Sequence, residues 1–153
     1  MQSKIIQSKE EMYAIIDKCD VCNVAMTDLD GKPYLLPFNF GRKDNSIYLH
    51  SGPEGKKLSI LKTNPSVCIA FSNSYSLYNQ HESVACSYGM MFRSVLVFGE
   101  VEFINAYQNK IDILNIVMNQ YVKKDFSYSE PAVNNVIIMK VEIIKMTGKK
   151  RGY

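Results

Sequence analysis

Apolar and polar side chains alternate along most of the chain, and three stretches replace that alternation with the longer period of a helix. In residues 46–50, "SIYLH", inward and outward positions repeat every second residue, as a pleated strand requires. The same pattern makes strands of "CNVAMTDL" (22–29), closed by the hairpin signal Asp30-Gly31, and of "PYLLPFNFG" (33–41), which returns from it. "SVCIAFSN" (66–73) is a fourth strand. "FRSVLVFGEVEFI" (92–104) is a long fifth, with Val95, Val97, Val101 and Phe103 on one face and Gly99 marking a bend. A sixth, "NVIIMKVEIIKMTG" (135–148), sets Ile137, Met139, Val141 and Ile143 together while Lys140 and Glu142 face outward.

The helical period begins at Ser8, which with Glu11 forms a capping box ahead of Met12, Ile15 and Ile16; this helix ends near Lys18. "GKKLSILKTNP" (55–65) is a short helix that stops before Pro65, because proline disfavours helical backbone in the residue before it. Tyr107, Ile111, Leu114, Met118 and Tyr121 predict an amphipathic helix whose stripe packs on the core. The polar stretch 73–89, with Tyr75, Tyr78 and Tyr88, is expected to be a loop at a working surface, its tyrosines stacking on a ring or covering the barrel mouth. Strands joined largely by hairpins and flanked by helices define an α+β fold, an antiparallel six-stranded sheet closing into a small barrel. With no repeat and no low-complexity linker, residues 1–153 read as one domain.

Composition narrows the function. A net charge of +3 with scattered lysines, apart from the terminal "GKKRG", lacks the concentrated basic footprint of a nucleic-acid-binding protein. No apolar run reaches the length of a signal peptide core or a membrane span, so a soluble, cytoplasmic protein without a membrane partner is expected. The four cysteines are too few and irregular for a disulfide scaffold. Cys19 and Cys22 have the spacing of a redox or metal pair, but they close a helix and open a strand, and no second pair completes a zinc site. They are read as small apolar fillers, and no metal is expected.

The stretch "YLHSGPEGKKL" (48–58) carries the candidate chemistry. A strand ends in His50, a glycine-bounded turn follows, and Lys56 and Lys57 enter the first turn of a helix, whose free N–H groups and positive dipole end favour a phosphate. The other reading is a surface turn with solvated lysines. His50 is either a ligand-facing proton donor or a strand-end residue bonded to a neighbour, and His81 reads as a solvated residue of the polar stretch.

Taken in order, "DGKPYLLPFNF", "SIYLHSGPEGKKLSILKTNPSVCIAF" and "ACSYGMMFRSVLVFGEVEFI" resemble the flavin-binding split-barrel family that includes pyridoxamine 5'-phosphate oxidase, and within it the nitroimidazole-resistance branch, over residues 19–148. The resemblance implies a homodimer with FMN at the subunit interface. It places Pro37, Phe38 and Asn39 along the flavin and its ribityl chain, His50 and Ser51 beside the cofactor with His50 as the catalytic candidate, Lys56 and Lys57 on the phosphate, and Arg93 and Ser94 reaching the flavin from the long strand. Cys86, Tyr88 and Met90 would line the substrate pocket, Cys86 being equally well explained as structural. The implied activity is an FMN-dependent oxidoreductase acting on a small nitroaromatic of the 5-nitroimidazole type. The alternatives are a non-catalytic flavin- or haem-related binding or sensor protein, and a pyridoxamine phosphate oxidase, the latter lacking the fuller arginine and lysine set that a second phosphate requires.

Overall fold

The computed structural model describes residues 1–153. A short strand, β1 (Ser3–Ile6), leads to Ser8, whose hydroxyl accepts the Glu11 N–H at 3.1 Å and opens α1 (Lys9–Asp17). The reciprocal half of the capping box is not made, because the Glu11 carboxylate accepts instead from Lys150 Nζ at 2.6 Å. β2 (Cys22–Thr27) turns into β3 (Pro33–Phe38), and Asn39 alone separates β3 from β4 (Phe40–Lys43). β5 (Ser46–Ser51), α2 (Lys56–Thr63), β6 (Ser66–Tyr78), β7 (Gly89–Ile104), α3 (Tyr107–Tyr121), α4 (Glu130–Asn135), β8 (Ile137–Glu142) and β9 (Lys145–Arg151) follow. No helix is long and apolar enough to cross a membrane.

All strand pairs are antiparallel, in the order β3-β2-β6-β7-β8-β5-β4, with β9 pairing both β7 and β1 beside this path. Its two ends, β3 and β4, are one bent run of chain, so the sheet closes on itself. Counted with that run as one strand, the barrel has the six strands expected of the sequence. β7 pairs β9 up to Phe98 and β8 from Val101, changing partner at Gly99, the residue marked as a bend. Val24, Ile47, Leu49, Ile69, Phe71, Val95, Val97, Met139 and Val141 fill the interior as every second residue of their strands, and Phe40 meets Phe71 edge to face at 4.9 Å between ring centres. Met12, Ile15 and Ile16 of α1 join the same core.

Four features depart from the sequence reading. The expected loop over 73–89 is confined to 79–88: β6 runs to Tyr78 and β7 begins at Gly89, with a register shift between Asn73 and Ser76 where Ser74 has φ +59°. The backbone ladder pairs there whatever the polarity of the side chains, which hid the hairpin. The last predicted strand is two, β8 and β9, separated where the Ile143 and Ile144 N–H groups leave the ladder for Asn45 and Phe98 carbonyls. β1 and α4 were not foreseen; β1 is mostly exposed and has its partner in β9 at the far end of the sequence. On α3 the buried side chains are Lys110, Ile113 and Val117 rather than the predicted stripe, because α3 lies on β4 so closely that a Cβ on Gly41 would stand 2.8 Å from the Ile116 carbonyl oxygen. Lys110 is buried with its ammonium donating to the Val133 and Val136 carbonyls at 3.0 and 2.8 Å, the open end of α4.

Candidate functional site

The closure of the barrel brings the ends of β3 and β5 side by side, with the start of α2 alongside. Between them lies a groove of about 390 Å³ lined by Leu36, Pro37, Phe38, Asn39, His50, Ser51, Gly52 and Lys57. Six of the residues singled out in the sequence, Pro37, Phe38, Asn39, His50, Ser51 and Lys57, therefore share one wall; Leu36 and Gly52 were not foreseen and carry no chemical signal beyond their place beside the others.

His50 follows Tyr48 on the half-buried outer side of β5, and Leu49 between them is fully buried in the barrel. Its Nδ1 is buried without a hydrogen-bond partner. Burial alone holds its pKa below the ordinary histidine value, so the ring is neutral at pH 7. A buried polar nitrogen with no partner costs free energy unless something else supplies one. Ser51 Oγ donates to the Gly52 carbonyl at 2.7 Å. Gly55, at φ +127°, caps α2 with no side chain on its N–H groups, a backbone shape that favours glycine and leaves the helix start open to an anion.

The two lysines diverge. Lys57, half-buried, lines the groove; Lys56 Nζ lies 3.4 Å from Asp28 Oδ2 and 4.8 Å from the centre of the Tyr34 ring, on the β2–β3 hairpin. The Lys32 and Asp30 N–H groups, and after them Lys56, hold the Asp28 carboxyl below the ordinary carboxylate range.

The remaining candidates stand outside this groove in the single chain. Arg93 stacks on the Tyr153 ring at 3.9 Å and donates to Ser74 Oγ at 3.2 Å, while Ser94 Oγ donates to the Lys149 carbonyl at 3.3 Å. Cys86 is exposed in the one-turn helix Ala85–Ser87 at the tip of the β6–β7 hairpin, and Tyr88 and Met90 are exposed beside it. His81 is also exposed there, its backbone N–H donating to Ser87 Oγ. Cys19 and Cys22 are buried in the barrel core as free thiols. Cys19 donates to the Ile15 carbonyl, and desolvation pushes Cys22 up to about 12.

The groove continues onto an open sheet face. Pro37, which lines it, stands in register with Asn23, Ala70 and Leu96, and the neighbouring row is Leu35, Ala25, Cys68 and Phe98. Leu35 is 60% exposed and Leu96 39%, so the face offers solvent a largely apolar surface beside the groove.

The family model described as pyridoxamine 5'-phosphate oxidase matches residues 8–150. A search of curated proteins finds no match. Among solved structures, a candidate 5-nitroimidazole antibiotic resistance protein from Bacteroides thetaiotaomicron VPI-5482 is 45% identical with a TM-score of 0.89, covering 97% of this chain and 87% of that one. The flavocytochrome Anf3 from Azotobacter vinelandii is 20% identical with a TM-score of 0.83, covering 97% of this chain and 70% of its own. An FAD and heme binding protein from Mycobacterium smegmatis is 17% identical with a TM-score of 0.87, covering 98% and 74%. The last two are similar in fold alone.

Proposed function

The chain belongs to the pyridoxamine 5'-phosphate oxidase family, and from that premise we propose that it is a flavoprotein that holds FMN in the groove between β3, β5 and α2 and reduces a small nitroaromatic compound of the 5-nitroimidazole type. The observation that carries the reading is the groove's own chemistry: an unpartnered, neutral His50 nitrogen, the Lys57 ammonium and the uncapped start of α2 in one wall. These groups suit a ligand with a polar ring edge at one end and a phosphate at the other. Lys57 and the first N–H groups of α2 would hold the phosphate, where charge-assisted hydrogen bonds are strongest. Pro37 and Phe38 offer apolar contact to a ring, and Asn39 and Ser51 offer hydrogen bonds. His50, neutral at working pH, would give its Nδ1 a partner in the ligand. Bound flavin supplies the transfer of hydride or electrons from a reduced nicotinamide to the nitro group, chemistry the protein's side chains do not have.

The groove has walls from one side only, and the apolar face running on from Pro37 calls for a cover. A second copy related by two-fold symmetry would bury that face against itself. In such a homodimer the hairpin of β6 and β7, with Arg93, Ser94, Cys86, Tyr88 and Met90, would reach the groove from across the interface. The nitroaromatic part of the reading is supported by the 45% identity to the candidate 5-nitroimidazole antibiotic resistance protein from Bacteroides thetaiotaomicron.

The test is gel filtration of the purified protein with added FMN, read by visible absorbance, followed by anaerobic incubation of the loaded protein with NADPH and a 5-nitroimidazole. Flavin that co-elutes with a dimer and disappearance of the nitro absorbance are the expected results. Failure to retain FMN overturns the cofactor; retained FMN with no substrate consumed overturns the reductase and leaves a binding or sensor protein.

A further inference from the structure

At Asn39 the chain leaves its pairing with β2 and enters its pairing with β5: Phe38 faces Cys22, and Phe40 faces Leu49. The bend is also the part of the groove wall formed by Asn39. Phe40 is fully buried, so its N–H needs a partner, and it finds one outside the sheet. It donates to the Tyr121 hydroxyl at 2.9 Å; that hydroxyl donates to the Asp20 carbonyl at 2.8 Å; and Asn39 Nδ2 donates to the same carbonyl at 3.4 Å. One phenol from the last residue of α3 thus ties the bend to the connection between α1 and β2. Gln120, its neighbour, donates to the Asp17 and Cys19 carbonyls at 2.9 and 3.1 Å and pins the end of α1 in the same place.

We propose that Tyr121 is a positioning residue of the groove: its hydroxyl, joining the Phe40 N–H to the Asp20 carbonyl, sets the backbone at Asn39 and with it the direction of the Asn39 side-chain amide toward the ligand. The proposal rests on the flavin reading above. Tyr121 is itself 37% exposed and buries little in the core, so its hydroxyl is the group under test. Removing that oxygen leaves the Phe40 N–H without a partner and the Asp20 carbonyl with Asn39 Nδ2 alone, so the bend relaxes.

The experiment titrates FMN into the full chain and its Tyr121→Phe, Asn39→Ala and double variants, following flavin fluorescence and the visible circular dichroism of the bound ring. Tyr121→Phe removes both bonds of the hydroxyl and should weaken binding about threefold to tenfold, the worth of one hydrogen bond misdirected at Asn39, and change the dichroism. The double variant should bind no more weakly than Asn39→Ala, because Tyr121 acts through Asn39. Equal affinity in Tyr121→Phe, or additive losses in the double variant, overturns the positioning role while leaving the flavin reading intact. Wild-type protein that binds no FMN overturns the flavin reading and this inference with it. Should Tyr121→Phe fail to fold, hydrogen exchange at the Phe40 amide of the unaltered chain decides the matter: it slows on adding FMN if the bond belongs to the groove, and an unchanged rate overturns the inference.

Discussion

Lys56 and Lys57 are neighbours in sequence and lead to different places, since successive side chains on a helix point about 100° apart. Lys57 borders the groove and Lys56 leans on Asp28 and Tyr34. Lys57→Ala should therefore weaken FMN binding by more than about tenfold and Lys56→Ala by less than about threefold, measured by fluorescence titration; equal losses would return the lysines to a joint role. His50 titrates below its ordinary value of 6.5 in the folded chain because it is buried. The unfolded chain takes up the proton first, so the stability this group contributes is present above that value and lost as pH falls through and below it. The melting temperature should fall less between pH 7 and pH 5 in His50→Gln than in the wild type. Cys22 has the opposite sign: its thiol is raised from 9.0 to about 12. Its stabilisation is complete below pH 9 and disappears toward the folded value, so Cys22→Ala should show a shallower loss of melting temperature between pH 9 and pH 11. The sequence named His50 and Lys57 because their residue types carry chemistry, and Asn39 through the family resemblance. It passed over Tyr121, whose role depends on Phe40 and Asp20, which meet it only in the fold.

Among the elements, α3 was legible in extent and not in facing. Its bounds, Tyr107–Tyr121, follow from the helical period, but the inward side is decided by the contact with Gly41 on β4 and by α4 covering its flank. Lys110, a charged residue, sits on that inward side because the carbonyls at the end of α4 satisfy its ammonium. Lys110→Met keeps the bulk and removes the donor, leaving two carbonyls without it; a loss of about 1–3 kcal/mol, read from the urea midpoint, is expected, with Lys110→Arg recovering part of it. The β6–β7 hairpin was hidden for the converse reason. Its outer half sets the exposed Tyr75, Leu77 and Met90 among serines, so no buried apolar face marks it, and its backbone pairing from Ser76–Met91 to Tyr78–Gly89 supplies the order.

At the scale of the whole molecule, closure of the barrel decides which candidates meet. β3 and β5 are joined through Asn39 and β4, and this return places Pro37, Phe38 and Asn39 beside His50 and Ser51. The apolar rows through Leu35 and Leu96 remain open on one side, and they carry the proposed two-fold contact. If the proposed dimer forms, Leu96→Glu, which puts a charge in the middle of that face, should convert it to a monomer in sedimentation velocity and reduce any FMN retained; a dimer that persists with the charge in place would move the interface elsewhere. The sequence by itself determined the antiparallel α+β barrel, the bounds of most of its elements and the strand end, glycine turn and lysines at 50–57, because alternation, capping and glycine turns act within a few residues of one another; Pro37, Phe38, Asn39 and Ser51 came from the family resemblance. Only the tertiary structure decided that Lys56 and Lys57 part, that Arg93 and the tip of the hairpin lie away from the groove of their own chain, and that Tyr121 braces the bend at Asn39. Each of these depends on contacts between residues far apart in sequence, whose meeting is set by how the sheet closes and not by any local pattern.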